Sequence, residues 1–366
     1  MSQARHPALS TRICALFGCE LPIIQTGMGW VSGARLTAAT SAAGGFGILA
    51  AATMTLAELE AAIGRVKSRT DRPFGVNLRG NQPDMDRYLD LMLREEIRVA
   101  SFAGPPSKDA IRRLKDAGVV TMPTVGAPRH AQKMVDWGVD AVIAQGGEGG
   151  GHTGDIPTSL LIPGVRDVVD IPVLAAGGFR DGRGLVAALA WGADGVAMGT
   201  RFLLTQESHV PDAVKQVYLS AKLTHTVRTT AIDGAPQRVI NTEMIQSLER
   251  SGPLAALYRS VTNALRFRGL TGTPLGDLVR EALNMKKSGK LTWAQVAMAA
   301  NAPMLTRATM VDGKLETGIL PTGQVTGAIA ELPTVAELLA RIEAEAIETL
   351  TRLGSTAASP AHEESA

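Results

Sequence analysis

Eight short apolar runs, alternating with helix-forming segments, constrain this chain more than any other feature. They are Pro22-Ile23-Ile24-Gln25-Thr26, Phe46-Gly47-Ile48-Leu49, Pro73-Phe74-Gly75-Val76-Asn77, Val99-Ala100-Ser101, Val119-Val120-Thr121-Met122-Pro123-Thr124, Ala141-Val142-Ile143-Ala144, Pro172-Val173-Leu174-Ala175-Ala176 and Gly195-Val196-Ala197-Met198. Helices are expected over 34–43, from Thr55, and over 84–95, 107–117, 127–137 and 183–191. Thr55 and Glu58 form a capping-box pattern at the second of these. Each strand–helix pair takes about 20–30 residues, the rhythm of a parallel sheet. Eight such units in one run predict an α/β fold, a closed (β/α)8 TIM barrel. A doubly wound open sheet is the competing fold. It would carry a dinucleotide fingerprint after the first strand and an acid after the second. Gly27-Met28-Gly29 lacks the third glycine, and no acid follows Ile48-Leu49.

The alternation ends near Val210. Helices are expected over 212–223, 242–248, 254–265, 275–285 and 291–300, with one strand near 226–230. The domains read as a barrel over 1–211 and a C-terminal helical subdomain over 212–317. A return segment and terminal amphipathic helix over 318–350 are expected to pack on the barrel, and 351–366 to form a disordered tail. Lysine plus arginine total 37 against 35 acidic residues, so bulk charge argues for neither nucleic acid nor a membrane surface. Cys14 and Cys19 have no second pair or nearby histidine, which disfavours a zinc site and a disulfide framework. No metal triad is visible. No signal peptide and no membrane-length apolar run are evident, so a cytoplasmic setting is expected.

Chemistry concentrates at the strand ends. After the sixth run, six glycines surround Glu148 and His152 between Ala144 and Gly154. So many glycines argue against a helix or strand interior, and for a backbone that must approach an anionic group closely. The remaining ends supply Gln25, Gly27, Met28, Gly29, Asn77, Gln145, Gly150, Gly151, Gly177, Gly178, Gly199 and Thr200. Glycines after the seventh and eighth strands of a barrel occupy its common phosphate site. Neutral amides beside a phosphate nest suit FMN.

The run Gly147-Glu148-Gly149-Gly150-Gly151-His152-Thr153-Gly154 closely resembles the Gly-x-Glu-Ala-Gly-Gly-His-x-Gly signature of the nitronate monooxygenase superfamily, which includes FMN-dependent enoyl reductases. Gly149 replaces the usual alanine. The similarity extends to Gly27-Met28-Gly29, Gly75-Val76-Asn77, Ala176-Gly177-Gly178, Met198-Gly199-Thr200-Arg201-Phe202 and Gly323-Gln324, adding Gln324 to the cofactor set. Gln25-Thr26-Gly27-Met28-Gly29-Trp30-Val31, residues 50–56, Leu291-Thr292-Trp293 and Met298-Ala299-Ala300-Asn301 resemble a branch linked to steroid-ring degradation. That resemblance implies a hydroxy-methyl-oxo-octahydroindene-carboxyl-CoA as substrate and insertion of a ring double bond. It also admits NAD(H) as electron partner and a homodimer.

His152 fits a base or hydrogen-bond donor near the flavin. It would take a thioester α-proton while the β-hydride leaves for the flavin, or serve the reverse reduction, or face a nitronate. Glu148 is expected to orient the loop. Arg266, Arg268, Lys286, Lys287 and Lys290 are candidates for holding the CoA phosphates. A noncatalytic flavin or CoA-binding module is the alternative from another class, and it leaves His152 without a purpose.

Overall fold

The computed structural model describes residues 6–250, 293–315 and 318–357. They fall into two compact units. The first comprises the described parts of Met1–Gly147, Asp155–Ser208 and Glu331–Ala366; the second, those of Glu148–Gly154 and His209–Ala330.

The first unit is the barrel. Strands β1 (Ile23–Gln25), β2 (Phe46–Ala50), β3 (Gly75–Arg79), β4 (Val99–Ala103), β5 (Val120–Val125), β6 (Val142–Gln145), β8 (Val173–Ala176) and β9 (Gly195–Met198) form a closed ring. All pairings are parallel, and Ile24 opposite Ala197 closes β1 on β9. The doubly wound alternative is excluded by this closure. Inward residues alternate along the strands: Ile24, Phe46, Ile48, Val99, Met122, Ile143 and Leu174 share one core. Ile13 and Phe17 join that core from a helix absent from the sequence expectations, α1 (Arg12–Phe17). Phe17 meets Phe46 with ring centroids 4.8 Å apart. Its full burial stabilises the fold by roughly 1.5–3 kcal/mol. Arg12 Nε and Nη2 fork onto Asp194 at 2.6 and 2.8 Å and hold α1 at the ring.

The helices α2 (Ala34–Ala42), α3 (Leu56–Lys67), α4 (Met85–Arg94), α5 (Lys108–Asp116), α6 (Pro128–Asp136), α7 (Thr158–Arg166), α8 (Gly182–Ala190) and α9 (Thr200–Leu203) punctuate the strands. Thr55 and Glu58 make the capping box reciprocally. The α7 helix corrects the sequence reading, which assigned no helix there. Pro163 and Gly164 imitate breakers, yet Leu161, Ile162 and Val165 are buried and hold the helix by packing.

In the second unit, α10 (Asp212–Ser220), α11 (Glu243–Arg250) and α12 (Trp293–Met310) accompany a sheet. Strands β10 (Thr226–Thr229), β11 (Gln237–Ile240) and β7 (Gly151–His152) run antiparallel in the order β10-β11-β7. The helical reading of 212–317 therefore omits β11 and the sheet it centres, and residues 318–330 belong with this unit. Ile232, Val239, Ile245, Leu305 and Ile319 form its core. The expected helices over 254–265 and 275–285 lie outside the described residues.

The terminal helix α13 (Val335–Ala357) packs on α8. A Cβ at Gly182 would come within 2.3 Å of the Ala346 nitrogen, so only glycine allows this approach. Glu345 Oε2 accepts the Gly182 N–H at 2.9 Å.

Candidate active site

At the end of β1, the Gln25 side chain is fully buried on the face of the strand opposite Ile24. Its Nε2 donates to Ser32 Oγ at 2.9 Å and to the Ile48 carbonyl at 3.1 Å. Ser32 Oγ in turn donates to the Thr26 carbonyl and accepts the Met28 N–H, at 2.8 and 2.9 Å. The Gln25 carboxamide thus acts as an internal clamp. The clamp shapes Gly27-Met28-Gly29. Asn77, in the middle of β3, is also largely buried and donates to Ser101 Oγ at 3.1 Å. A Cβ on Gly27 would lie 2.2 Å from Asn77 Cβ, so this loop crosses β3 at backbone distance.

Across the ring, Gly177 and Gly178 have φ of +104° and +85°. Two consecutive glycines in this region follow β8 directly, and Gly199-Thr200 follow the neighbouring β9. Thr158 Oγ1 donates to the Gly177 carbonyl at 3.1 Å and fixes the first of them. Met28 sulfur lies 3.3 Å from where a Gly199 Cβ would stand. Gln145, half-buried, ends β6 opposite Ala176. Arg201 is an anchor: Nη2 donates to the Leu204 and Glu331 carbonyls at 2.6 and 3.0 Å. Burial pushes its guanidinium down to about 10 against the pull of Glu331.

In the second unit, the glycine run is partly a strand, contrary to its sequence reading. Gly151 and His152 pair with Arg238 and Gln237, with Gly151 at φ +67°. Gly150 is required by packing: a Cβ there would lie 2.5 Å from the Thr322 carbonyl carbon. The Gln324 N–H donates to the Glu148 carbonyl at 3.0 Å, so Gln324 braces this loop through its backbone.

His152 Nε2 lies 2.7 Å from Asp233 Oδ2; the imidazole is 65% exposed and the carboxylate 20%. Burial raises the Asp233 carboxyl, but His152, the Ala235 N–H and Gln237 outweigh it and hold the group below the usual carboxylate value. Asp233 was not among the sequence candidates. It precedes Gly234 (φ +82°) in what reads as an ordinary turn, and 81 residues separate it from His152. Only the β7–β11 pairing joins them. A carboxyl depressed on folding contributes stability that is full above its unfolded value, about 3.9, and is lost as pH falls toward the folded value. The stability difference between wild type and Asp233→Asn, measured by urea melts, should therefore shrink as pH drops below about 4.

Arg266, Arg268, Lys286, Lys287 and Lys290 lie outside the described residues. Among the described residues, no helix is long and apolar enough to cross a membrane.

The profile of the family described as nitronate monooxygenase matches residues 10–88 and 83–345. The chain is 54% identical over 347 residues to a (3aS,4S,5R,7aS)-5-hydroxy-7a-methyl-1-oxo-octahydro-1H-indene-4-carboxyl-CoA dehydrogenase of Rhodococcus jostii, covering 95% of this chain and 98% of that protein. A protein of the same name from Mycobacterium tuberculosis is 53% identical, with 93% and 97% covered. Among solved structures, FabK from Thermotoga maritima superposes with a TM-score of 0.78 at 32% identity, covering 94% of this chain and 99% of that one.

Proposed function

Because the chain belongs to the nitronate monooxygenase family, we propose that it is an FMN-dependent oxidoreductase acting on a ring-borne acyl-CoA in steroid catabolism, forming or reducing the α,β double bond. The observation that carries this is the His152–Asp233 pair, a base with its orienting carboxylate, in a chain so similar to two named acyl-CoA dehydrogenases.

The residues present fit FMN. Backbone N–H groups at Gly177-Gly178 and Gly199-Thr200 suit its phosphate, and the positive φ values at Gly177 and Gly178 mark a turn that favours glycine there. Gly27, Met28, Gly29, Asn77 and Gln145 are assigned to its ring system. Gly150, Gly151 and Gln324 are assigned to the loop that carries His152. When bound, FMN supplies a two-electron acceptor for hydride.

The chain's own residues supply the proton chemistry. An ionised Asp233 accepts from His152 Nε2–H and leaves the Nδ1 lone pair as the base. Nδ1 removes the α-proton, which the thioester carbonyl acidifies, as hydride leaves the β-carbon. In the reverse direction Nδ1–H returns the proton.

The protein should purify yellow with noncovalent FMN; a colourless protein that fails to take up FMN would overturn the cofactor. The holoprotein, held anaerobically, is then mixed with a ring acyl-CoA or with an alkyl nitronate. Bleaching of the flavin by the acyl-CoA is expected, and bleaching by the nitronate alone would establish the family's namesake reaction instead. Reoxidation by NAD+ against O2 tests NAD(H) as electron partner, and light scattering tests a homodimer. A cytoplasmic setting, with neither nucleic acid nor membrane as partner, completes the proposal.

A further inference from the structure

In the β10-β11-β7 sheet, Arg228 stands directly opposite Arg238, and Arg238 opposite Gly151. Like charges facing each other across strands destabilise a sheet. Two guanidinium forks on one row are well matched to a phosphate, which each can bind bidentately. The neighbouring row, Thr229, Gln237 and His152, points to the other face, where Val239 enters the core. Arg228 is exposed and Arg238 half-buried. Arg238 Nη1 donates to Thr226 Oγ1 at 3.0 Å, which orients it toward β10. Burial and the charge of Arg228 hold the Arg238 guanidinium below its ordinary value, against the opposing pull of Glu148. The same row has room: a Cβ at Gly151 would meet nothing within 4 Å.

We propose that Arg228 and Arg238 form the phosphate site for the CoA moiety, with Gly151 leaving space beside them. This rests on the acyl-CoA reading above. The row covers two inter-strand spacings, roughly 10 Å. It begins at the residue next to His152 but on the opposite face, so the pantetheine arm of a thioester at His152 passes around the β7 edge of the sheet to reach it. The site differs from the Arg266, Arg268 and Lys286-Lys287-Lys290 candidates.

The test uses the full-length FMN-loaded protein and titration calorimetry with CoA, dephospho-CoA and pantetheine. Arg228→Ala/Arg238→Ala should weaken CoA binding by roughly 10–100-fold, as expected for charge-assisted hydrogen bonds. The loss should narrow as salt rises, and pantetheine should bind both proteins equally. A smaller loss for dephospho-CoA assigns the site to the 3′-phosphate; an equal loss assigns it to the diphosphate. If the double variant fails to fold, Arg228→Ala alone, at an exposed position on the sheet edge, should still weaken CoA binding several-fold. Unchanged CoA affinity in the folded variant overturns the site. So does an equal loss of pantetheine, or a loss confined to Lys286→Ala/Lys287→Ala/Lys290→Ala. Wild-type protein that binds no CoA overturns the acyl-CoA reading itself, a distinct result.

Discussion

His152→Ala should retain FMN and lose flavin reduction by substrate by roughly 10²–10⁴-fold, the range of a positioned acid–base group. The imidazole is largely exposed and belongs to a two-residue strand, so its removal leaves no cavity in either core. Stopped-flow absorbance of the anaerobic holoprotein measures the step directly. An unchanged reductive rate would remove His152 from the chemistry. Asp233→Asn should cause a smaller loss, since an amide can still accept from Nε2–H while the negative charge is gone. If Asp233 only supported the fold, the variant would lose stability and keep its rate.

Gly27→Ala should have the second largest effect, on flavin binding and on stability together. The added methyl would stand 2.2 Å from Asn77 Cβ and 2.9 Å from Asn77 Cγ. Neither neighbour can retreat easily. Asn77 lies in β3, paired to β2 and β4, and Ser101 holds its side chain. The Gln25–Ser32 clamp holds Gly27-Met28-Gly29 from the other side. Overpacking of this kind costs about 1–3 kcal/mol. The loop must also shift, and with the FMN ring assigned to it as proposed, FMN affinity should fall more than the melting temperature suggests. Combining Gly27→Ala with Asn77→Gly removes the clash and should recover stability, though not full flavin affinity. A single variant with wild-type FMN content and melting temperature would show that the close approach is not required.

Much of the barrel was legible because each β-strand buries both faces against a layer. That imposes continuous apolar runs at regular intervals, ending in polar or glycine positions where the backbone turns. Eight such runs sufficed for the ring, and the observed strands agree with them to within two residues at each end, as at Phe46–Ala50 and Gly195–Met198. The α7 helix was illegible for the converse reason. Pro163 and Gly164 lower local helix propensity, and burial of Leu161, Ile162 and Val165 against the barrel outweighs it.

The site divides along the same line. Glycines at strand ends and a histidine after β6 are local facts, since backbone conformation and residue chemistry are written in the chain itself. The orientation of Gln25 was not: the carboxamide type is the same whether it meets a ligand or closes on Ser32 and Ile48, and only the packed ring shows the second. Asp233 and the opposed Arg228 and Arg238 depend on register, and register is a non-local property. One strand's hydrogen bonds choose their partners tens of residues away, and a slip of one residue would reverse every face. The sequence by itself determined the barrel and the chemical types at its rim. Tertiary structure decided that Gln25 closes on Ser32 and Ile48 and which distant carboxylate meets His152, because pairing and burial are settled only when the whole chain is packed.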